Sequence, residues 1–269
     1  MSDEARSDAI LRLGRNRRLA HRTLFGHRHP QATPPFHYEI IDLWASFAPQ
    51  VLIEAFRGAA KSTLAEEAIT LSACYREFHN CILLGETYAR AVERLTAIKH
   101  EIETNPYIEE LFGNLVGETW TEGKVILANG VIIQAFGRGQ SLRGSKHLDH
   151  RPDLAFGDDI EDEESCASED AIKKTMRWLM SVVKPALAPG ARIRINGTPL
   201  HPKSLLMQLY GDQEWVHRKY PIKTIDPQTG LWRPTWPDRF PLPEIDVLEA
   251  RAQRFGNTIG FRQEYMCEA

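Results

Sequence analysis

Several features that mark specialised classes of protein are missing from this sequence. No apolar run approaches the roughly 18 residues that a membrane-spanning helix needs. The first residues are polar and rich in arginine, so we do not expect a secretory signal there. No internal repeat is detectable. The composition predicts a globular protein that does not cross a membrane.

Cysteine and net charge are also sparse. The four cysteines have none of the paired spacings of a metal site: Cys74, Cys81, Cys166 and Cys267. We expect reduced thiols, as in a cytosolic protein. The net charge of −3 is close to neutral, so no overall basic field predicts binding to nucleic acid. Any contact with DNA would come from a local patch.

A phosphate-binding loop is predicted where an apolar run over 51–55 is followed by small residues and then by Lys61-Ser62-Thr63. A helix-favouring run over 64–77 follows. Strand, loop, Lys-Ser/Thr and helix form the layout in which backbone N–H groups meet phosphate oxygens. The lysine would reach the β- and γ-phosphates, and the Ser62 hydroxyl would bind Mg²⁺.

This loop lacks both glycines of the usual G-x-x-x-x-G-K-[ST] pattern. Alanine stands at both positions, Ala55 and Ala60, and the one glycine of the loop is Gly58. Alanine allows close approach of the backbone but resists a positive φ. An ordinary strand-to-helix turn with a surface lysine is therefore the alternative interpretation.

A second motif is acidic: the apolar run over 154–157 is followed by Asp158 and Asp159. The first carboxylate is expected to hold Mg²⁺ and the second to orient the attacking water. A solvated acidic loop is the alternative, because the acidic run continues to residue 164. Ligands of open α/β sheets bind at the carboxyl ends of strands, which favours a nucleotide site.

Strands and helices alternate along the chain. We predict strands over 51–55, 80–85, 154–157 and 192–196, helices over 88–104 and 169–183, and a hairpin at Asn129-Gly130. This βαβα pattern is typical of a parallel sheet with helices on both faces. Thr198, after the last strand, could sense the γ-phosphate, link hydrolysis to motion, or simply form a turn.

Two basic segments remain open to two interpretations each. Residues 1–30 contain seven arginines and three histidines. They form either an arm that contacts DNA phosphates or a partner, or a helix packed on the domain. The glycine-rich loop 137–153 contains Arg138, Arg143, Lys146 and Arg151. This loop either binds an anion, such as a phosphate, or is a flexible surface loop.

The chain resembles the ATPase domain of the large terminase subunit of tailed bacteriophages, the DNA-packaging motor, and most of all the DNA maturases of short-tailed phages. Three motifs carry the resemblance, at 56–63, 153–162 and 196–199: FRGAAKST, DLAFGDDIED and NGTP. The tail segment 255–266 is also similar. In this family an arginine usually lies four residues before the lysine, as Arg57 does here, and the loop glycines are often lost.

The resemblance implies a three-layer α/β P-loop NTPase of the ASCE type. We expect a basic arm over 1–32, an ATPase core over 33–203, and over 204–269 the C-terminal part of the ATPase domain with a helical lid and linker. ATP and Mg²⁺ would be the cofactors, with Ser62 and Asp158 at the metal. The implied nucleotide-binding residues are Phe36, His37, Arg57, Gly58, Ala59, Ala60, Lys61, Ser62 and Thr63.

Catalytic roles follow from the same resemblance. Asp159 occupies the slot of the catalytic glutamate, with Glu161 as the alternative. Arg57 would respond to the γ-phosphate in cis, and Thr198 belongs to the coupling motif. Arg143 would be the arginine finger that reaches the next subunit, with Arg151 as the alternative.

Partners are implied in the same way: double-stranded viral DNA, the portal of the procapsid, the small terminase subunit and further copies in a ring of five. A free chain can be a monomer, and the location would be the host-cell cytoplasm. Asp226, Asp238 and Asp246 form no cluster, so we expect no nuclease activity. The alternatives are a nucleotide-kinase-like phosphotransferase, another DNA-dependent ATPase, or a DNA-binding scaffold without catalysis.

Overall fold

A computed structural model describes residues 1–147 and 149–269 as helices packed around a central sheet. The helices are α1 Asp3–Arg15, α2 Arg17–Phe25, α3 Pro35–Ala45, α4 Lys61–Cys74, α5 Tyr88–Thr104, α6 Pro106–Phe112, α7 Glu163–Cys166, α8 Glu169–Trp178, α9 Lys184–Ala186, α10 Leu205–Tyr210, α11 Leu242–Arg254 and α12 Thr258–Met266. A π-helical turn, Leu179–Val183, joins α8 to α9. None of the described helices is long and apolar enough to cross a membrane.

The strands are β1 Gln50–Ala55, β2 Asn80–Gly85, β3 Thr119–Trp120, β4 Lys124–Ile126, β5 Ile132–Gly137, β6 Leu154–Asp158, β7 Arg192–Gly197, β8 Val216–Tyr220, β9 Lys223–Ile225 and β10 Trp232–Pro234. Eight of them form one sheet in the order β3-β4-β5-β2-β6-β7-β1-β8. The pairs from β5 to β8 are parallel, and those of the predicted hairpin, β4 with β5, are antiparallel. The prediction of a mostly parallel central sheet is confirmed.

Both faces of the sheet are covered because its central strands are apolar on both sides. In β1, Val51 and Ile53 face the layer that contains α4 and α5, and Leu52 faces the layer that contains α8 and α10. Helix α5 fits its layer because its apolar residues recur at helical spacing and the Thr87 side chain accepts a hydrogen bond from its first turn. The result is a three-layer α/β fold.

The arginine-rich N-terminal segment folds as α1 and α2 against this domain. Leu24 and Phe25 are fully buried in the core that includes α4. Several of its arginines have acceptors on the domain: Arg6 donates to the Leu111 carbonyl, and Arg18 and Arg28 form ion pairs with Asp42 and Glu66. The packed helix, one of the two interpretations of this segment, is what the structure describes.

The C-terminal segment differs from the helical lid that we expected over 204–269. It contains the helices α11 and α12, but its strand β8 extends the central sheet by pairing with β1, and β9 pairs with β10. The polar sequence of β8 gives no apolar strand signal, because an edge strand needs only one neighbour and is partly solvated. The segment is therefore partly integral to the sheet.

Removing a side chain of α2 tests whether the N-terminal helices are part of the cooperative fold. We expect Leu24→Ala to lower the free energy of unfolding by about 2–5 kcal/mol, because a buried leucine leaves a cavity. Urea denaturation measures the change. The matched control is Leu11→Ala in α1, where the leucine is 57% exposed and the expected change is below about 0.5 kcal/mol. Equal midpoints for both variants would contradict the packing.

Candidate functional site

A cleft of about 530 Å³ lies where β1, β6 and β7 end at the same edge of the sheet. Parallel strands bring their carboxyl ends together, which is where ligands bind in this class of sheet. Most of the residues predicted for the site are on its walls: Arg57, Gly58, Ala59, Ala60, Lys61, Ser62, Thr63, Asp158, Asp159, Glu161 and Thr198. The structure thus joins the three sequence motifs in one place.

The loop between β1 and α4 turns through two left-handed residues. Gly58 has φ +87° and Ala60 has φ +61°. The left-handed conformation costs an alanine about 1–2 kcal/mol, so the loop is held against local strain. Helix α4 starts at the next residue, Lys61, and its first turn contains no acidic residue. The positive end of the helix dipole therefore faces the cleft, as an anion-binding site requires.

The Lys61 ammonium group is tied to the end of two neighbouring strands. It donates to the Ala55 carbonyl oxygen at 3.1 Å and to Thr198 Oγ1 at 3.0 Å. The Thr198 hydroxyl also donates to the Ala55 carbonyl, at 3.3 Å. Lys61 and Thr198, far apart in sequence, are thus joined by a hydrogen bond.

The Asp158 carboxyl group lies deep in the cleft. Burial raises its pKa to about 6, and the neighbouring charge of Asp159 adds to this effect, whereas the Ser62 hydroxyl, Arg94 and Lys61 oppose it. Its Oδ1 has no hydrogen-bond partner in the described part of the chain. A buried carboxylate oxygen without a partner, beside a serine hydroxyl, matches the oxygen ligands that Mg²⁺ prefers.

Asp159 and Glu161 differ in how their carboxylates are used. Asp159 has φ +43°, and its N–H donates to the Asn196 carbonyl at 3.0 Å, so the backbone turns sharply at the end of β6. Both oxygens of Glu161 accept backbone N–H groups at the start of α10, from Leu205 at 2.7 Å and Leu206 at 3.0 Å. Both residues line the cleft, but Glu161 is buried and its carboxylate is bonded to that helix, whereas Asp159 is exposed.

Arg57 connects the loop to the last helix of the chain. Its N–H donates to the Glu264 carbonyl at 2.7 Å, and its Nη1 lies 3.4 Å from the carboxylate of the same residue in α12. The side chain is otherwise 70% exposed at the mouth of the cleft. It can therefore reach a ligand without breaking a buried contact.

Phe36 and His37, which the resemblance implied as nucleotide-binding residues, are buried beneath the loop and lie outside the cleft lining. The Phe36 ring packs against Phe56 and Trp236. Burial lowers the pKa of His37 to about 3, so the ring is neutral, and its Nε2 donates to the Ala59 carbonyl at 2.9 Å. In this structure the two residues support the loop between β1 and α4 from below.

The candidate arginine fingers lie away from this cleft. Arg143 is exposed on the loop between β5 and β6, and exposed Arg151 donates to the Pro185 carbonyl at 3.4 Å. The start of that loop is anchored by Arg138, which forms two hydrogen bonds, of 2.8 and 3.1 Å, with the Asp162 carboxylate. Neither exposed arginine lines the cleft of its own chain.

Among the cleft residues that the sequence analysis did not predict are Glu86, Arg90 and Arg94. They follow β2, which is adjacent to β6. Arg94 donates to Glu66 at 2.8 Å and lies 3.6 Å from Oδ2 of Asp158. The available signal was their position: they lie just after a parallel strand, with the two arginines four residues apart on one helix face.

Known structures share this fold. An ATPase-domain mutant of the Thermus phage P74-26 large terminase superposes with a TM-score of 0.64 at 13% identity, over 92% of this chain and 96% of that one. The large terminase of bacteriophage HK97 gives a TM-score of 0.55 at 16% identity, over 89% of this chain. The large terminase of a thermophilic bacteriophage in complex with ADP gives 0.51 at 12% identity, over 88% of this chain.

These likenesses establish the fold: the chain has the architecture of phage large terminase ATPase domains, as the sequence resemblance implied. It spans about half of the HK97 terminase and of the ADP-bound terminase, 51% and 53% of their lengths. No protein-family model and no curated protein sequence matches it. The function must therefore be argued from the residues of the cleft.

The raised pKa of Asp158 predicts a pH-dependent stability. The folded chain binds this proton more tightly than the unfolded chain, so the contribution of Asp158 to stability falls as pH rises from about 4 to about 6. Asp158→Asn should therefore be more stable than the parent at pH 7, by up to about 3 kcal/mol, with no gain near pH 4. Urea denaturation in EDTA measures the difference, with exposed Asp238→Asn as the control. A gain that is equal at both pH values would contradict the prediction.

Proposed function

We propose that this chain is an ATP-hydrolysing motor that moves double-stranded viral DNA into a procapsid. The observation that carries the proposal is the meeting of Lys61, Asp158 and Thr198 in one cleft, from three different strand ends. The fold likeness to terminase ATPase domains supports it, and one of those proteins binds ADP.

The cleft residues fit a nucleotide with Mg²⁺. The start of α4 and the Lys61 ammonium group would bind the phosphates, and Ser62 with the unpartnered Oδ1 of Asp158 would hold the metal. When bound, the metal neutralises charge on the phosphates. Because the pKa of the Asp158 carboxyl is about 6, a proton competes with the cation below that pH.

Hydrolysis would proceed by in-line attack of a water held by Asp159. Its carboxylate lies on the cleft wall, whereas that of Glu161 is already bonded to α10. When Lys61 turns towards the phosphate, its hydrogen bond to the Thr198 hydroxyl would break. Nucleotide binding would thus change the contacts at the end of β7. Arg57, exposed at the mouth, would respond to the γ-phosphate in cis.

The site would be completed by an arginine from a neighbouring copy in a ring on the portal. Exposed Arg143 is the first candidate and Arg151 the second, because neither lines the cleft of its own chain. Such a finger contributes about 10³–10⁵ in rate where it has been measured, so the isolated chain should be a slow ATPase. Packaging would take place in the host-cell cytoplasm, with the small terminase subunit and the portal as protein partners.

Substitution of the loop lysine tests the hydrolysis. We expect Lys61→Ala to reduce release of phosphate from ATP by at least about 10²-fold, because it removes a charge aimed at the transferred group. The control is Lys174→Ala, an exposed lysine outside the cleft. Free phosphate and transfer to a nucleoside monophosphate are measured in parallel. Unchanged hydrolysis would sink the proposal, and transfer without free phosphate would establish the phosphotransferase instead.

Mixing two inactive variants tests the finger. Arg143→Ala keeps an intact cleft, and Asp159→Asn keeps an intact arginine, so each alone should lose about 10³-fold in the DNA-stimulated rate on procapsids. A mixture should recover activity, because one variant completes the site of the other. Arg151→Ala in place of Arg143→Ala decides between the two arginines. Failure of every mixture to recover would contradict a finger supplied by a neighbour.

A further inference from the structure

Two histidines of the N-terminal segment meet a buried glutamate of α4. His21, in α2, places its Nε2 2.6 Å from Oε2 of Glu67. His29 places its Nε2 3.0 and 2.9 Å from Oε1 and Oε2 of the same carboxylate. We name these three residues the His–Glu cluster. One ligand atom from each of them lies within 4.8 Å of the other two. No role in the cleft accounts for this convergence.

The cluster is sheltered but reachable from solvent. Glu67 and His21 are only 1% and 3% exposed, so solvent does not compete strongly for their ligand atoms. A separate cavity of about 400 Å³ opens beside them, with His21 and His29 on its wall. A small ion therefore has a path of entry and room for one water beside the two imidazoles.

The charges around the cluster favour a cation. Arg28 contacts the carboxylates of Glu66, Glu67 and Glu101, and Arg94 contacts Glu66 together with Glu93 and Asp158. Carboxylates therefore outnumber guanidinium groups in this network. The Glu67 carboxylate is the shared partner of both imidazoles, so its two oxygens already point into the cluster.

We propose that His21, His29 and Glu67 bind a single Zn²⁺ ion. Two imidazole nitrogens and one carboxylate oxygen are a common zinc ligand set, with a water in the fourth position. Zinc bonds of about 2.0–2.1 Å at tetrahedral angles place ligand atoms roughly 3.3 Å apart. The present separations of 2.6 and 2.9 Å need to open by less than about 1 Å.

The ion would fasten the N-terminal segment to the helix that starts at the phosphate loop. Glu67 lies in α4, which begins at Lys61. From the adjacent Glu66, ion pairs continue on one side to Arg28, at 2.6 Å, and on the other to Arg94, at 2.8 Å. Zinc at the cluster would thus fix α2 and α4 together without entering the nucleotide cleft.

Cobalt binding provides the test on the full chain, freed of metal by EDTA. Co²⁺ should bind with one equivalent at high affinity, give visible absorption of a nitrogen–oxygen site, and be displaced by Zn²⁺. His29→Ala should weaken the binding by more than about 100-fold, since even the loss of an outer-shell partner costs 10–100-fold. His27→Ala is the matched control, two residues away and paired with Glu101 instead, and should bind as the parent does.

Three outcomes would overturn the site. The first is that the parent binds no Co²⁺ or Zn²⁺, in which case the histidines only hydrogen-bond Glu67. The second is that His29→Ala binds the metal as tightly as the parent. The third is that binding is lost in Asp158→Asn but kept in His29→Ala, which would place the metal in the nucleotide cleft. If His29→Ala does not fold, X-ray absorption of the zinc-loaded parent decides, because the site requires two imidazole ligands. ATP hydrolysis plays no part in any of these readings.

Discussion

The cleft depends on the register of three parallel strands. Asp158, at the end of β6, lies opposite Asn196 of β7, which lies opposite Ile53 of β1. Because side chains alternate between the two faces of a strand, a slip of one residue would turn Asp158 towards the opposite helix layer. The same register brings Thr198 beside the Ala55 carbonyl, where the lysine of the loop meets both. Each part of the site is local in sequence, but only strand pairing makes them neighbours.

A chain of ion pairs connects the cleft to the N-terminal segment. Arg94 stands between Asp158 and Glu66, and Glu66 also bonds to Arg28 of the N-terminal segment. Buried carboxylates are stable only when paired, so the arginines of that segment have a structural use that composition alone does not reveal. An arm for DNA or a partner was one of two interpretations of the segment, yet four of its arginines are bonded to the domain: Arg6, Arg17, Arg18 and Arg28.

Strong local signals were read correctly from the sequence. The strand over 80–85 and the helix over 88–104 have the predicted bounds, since a continuous apolar run and a threonine cap define them. Lys61 at the start of a helix and Asp158 at the end of a strand also lie where the sequence placed them. Strand β8 was missed, because its polar sequence becomes a strand only through pairing with β1. Arg94 was missed for a related reason: its partners Glu66 and Asp158 come from other elements.

Ala60 shows that the loop between β1 and α4 keeps a left-handed turn without a glycine at that position. It adopts a left-handed φ of +61° in the place where a glycine is usual, and Gly58 adopts +87° two residues earlier. In the genetic code every alanine codon becomes a glycine codon by one base change, so an evolving lineage can pass between the two letters in a single step while the backbone path is kept. The backbone conformation of the loop can then stay the same while the residue at this position changes. The backbone path of this loop can therefore persist where its residues no longer match the usual pattern.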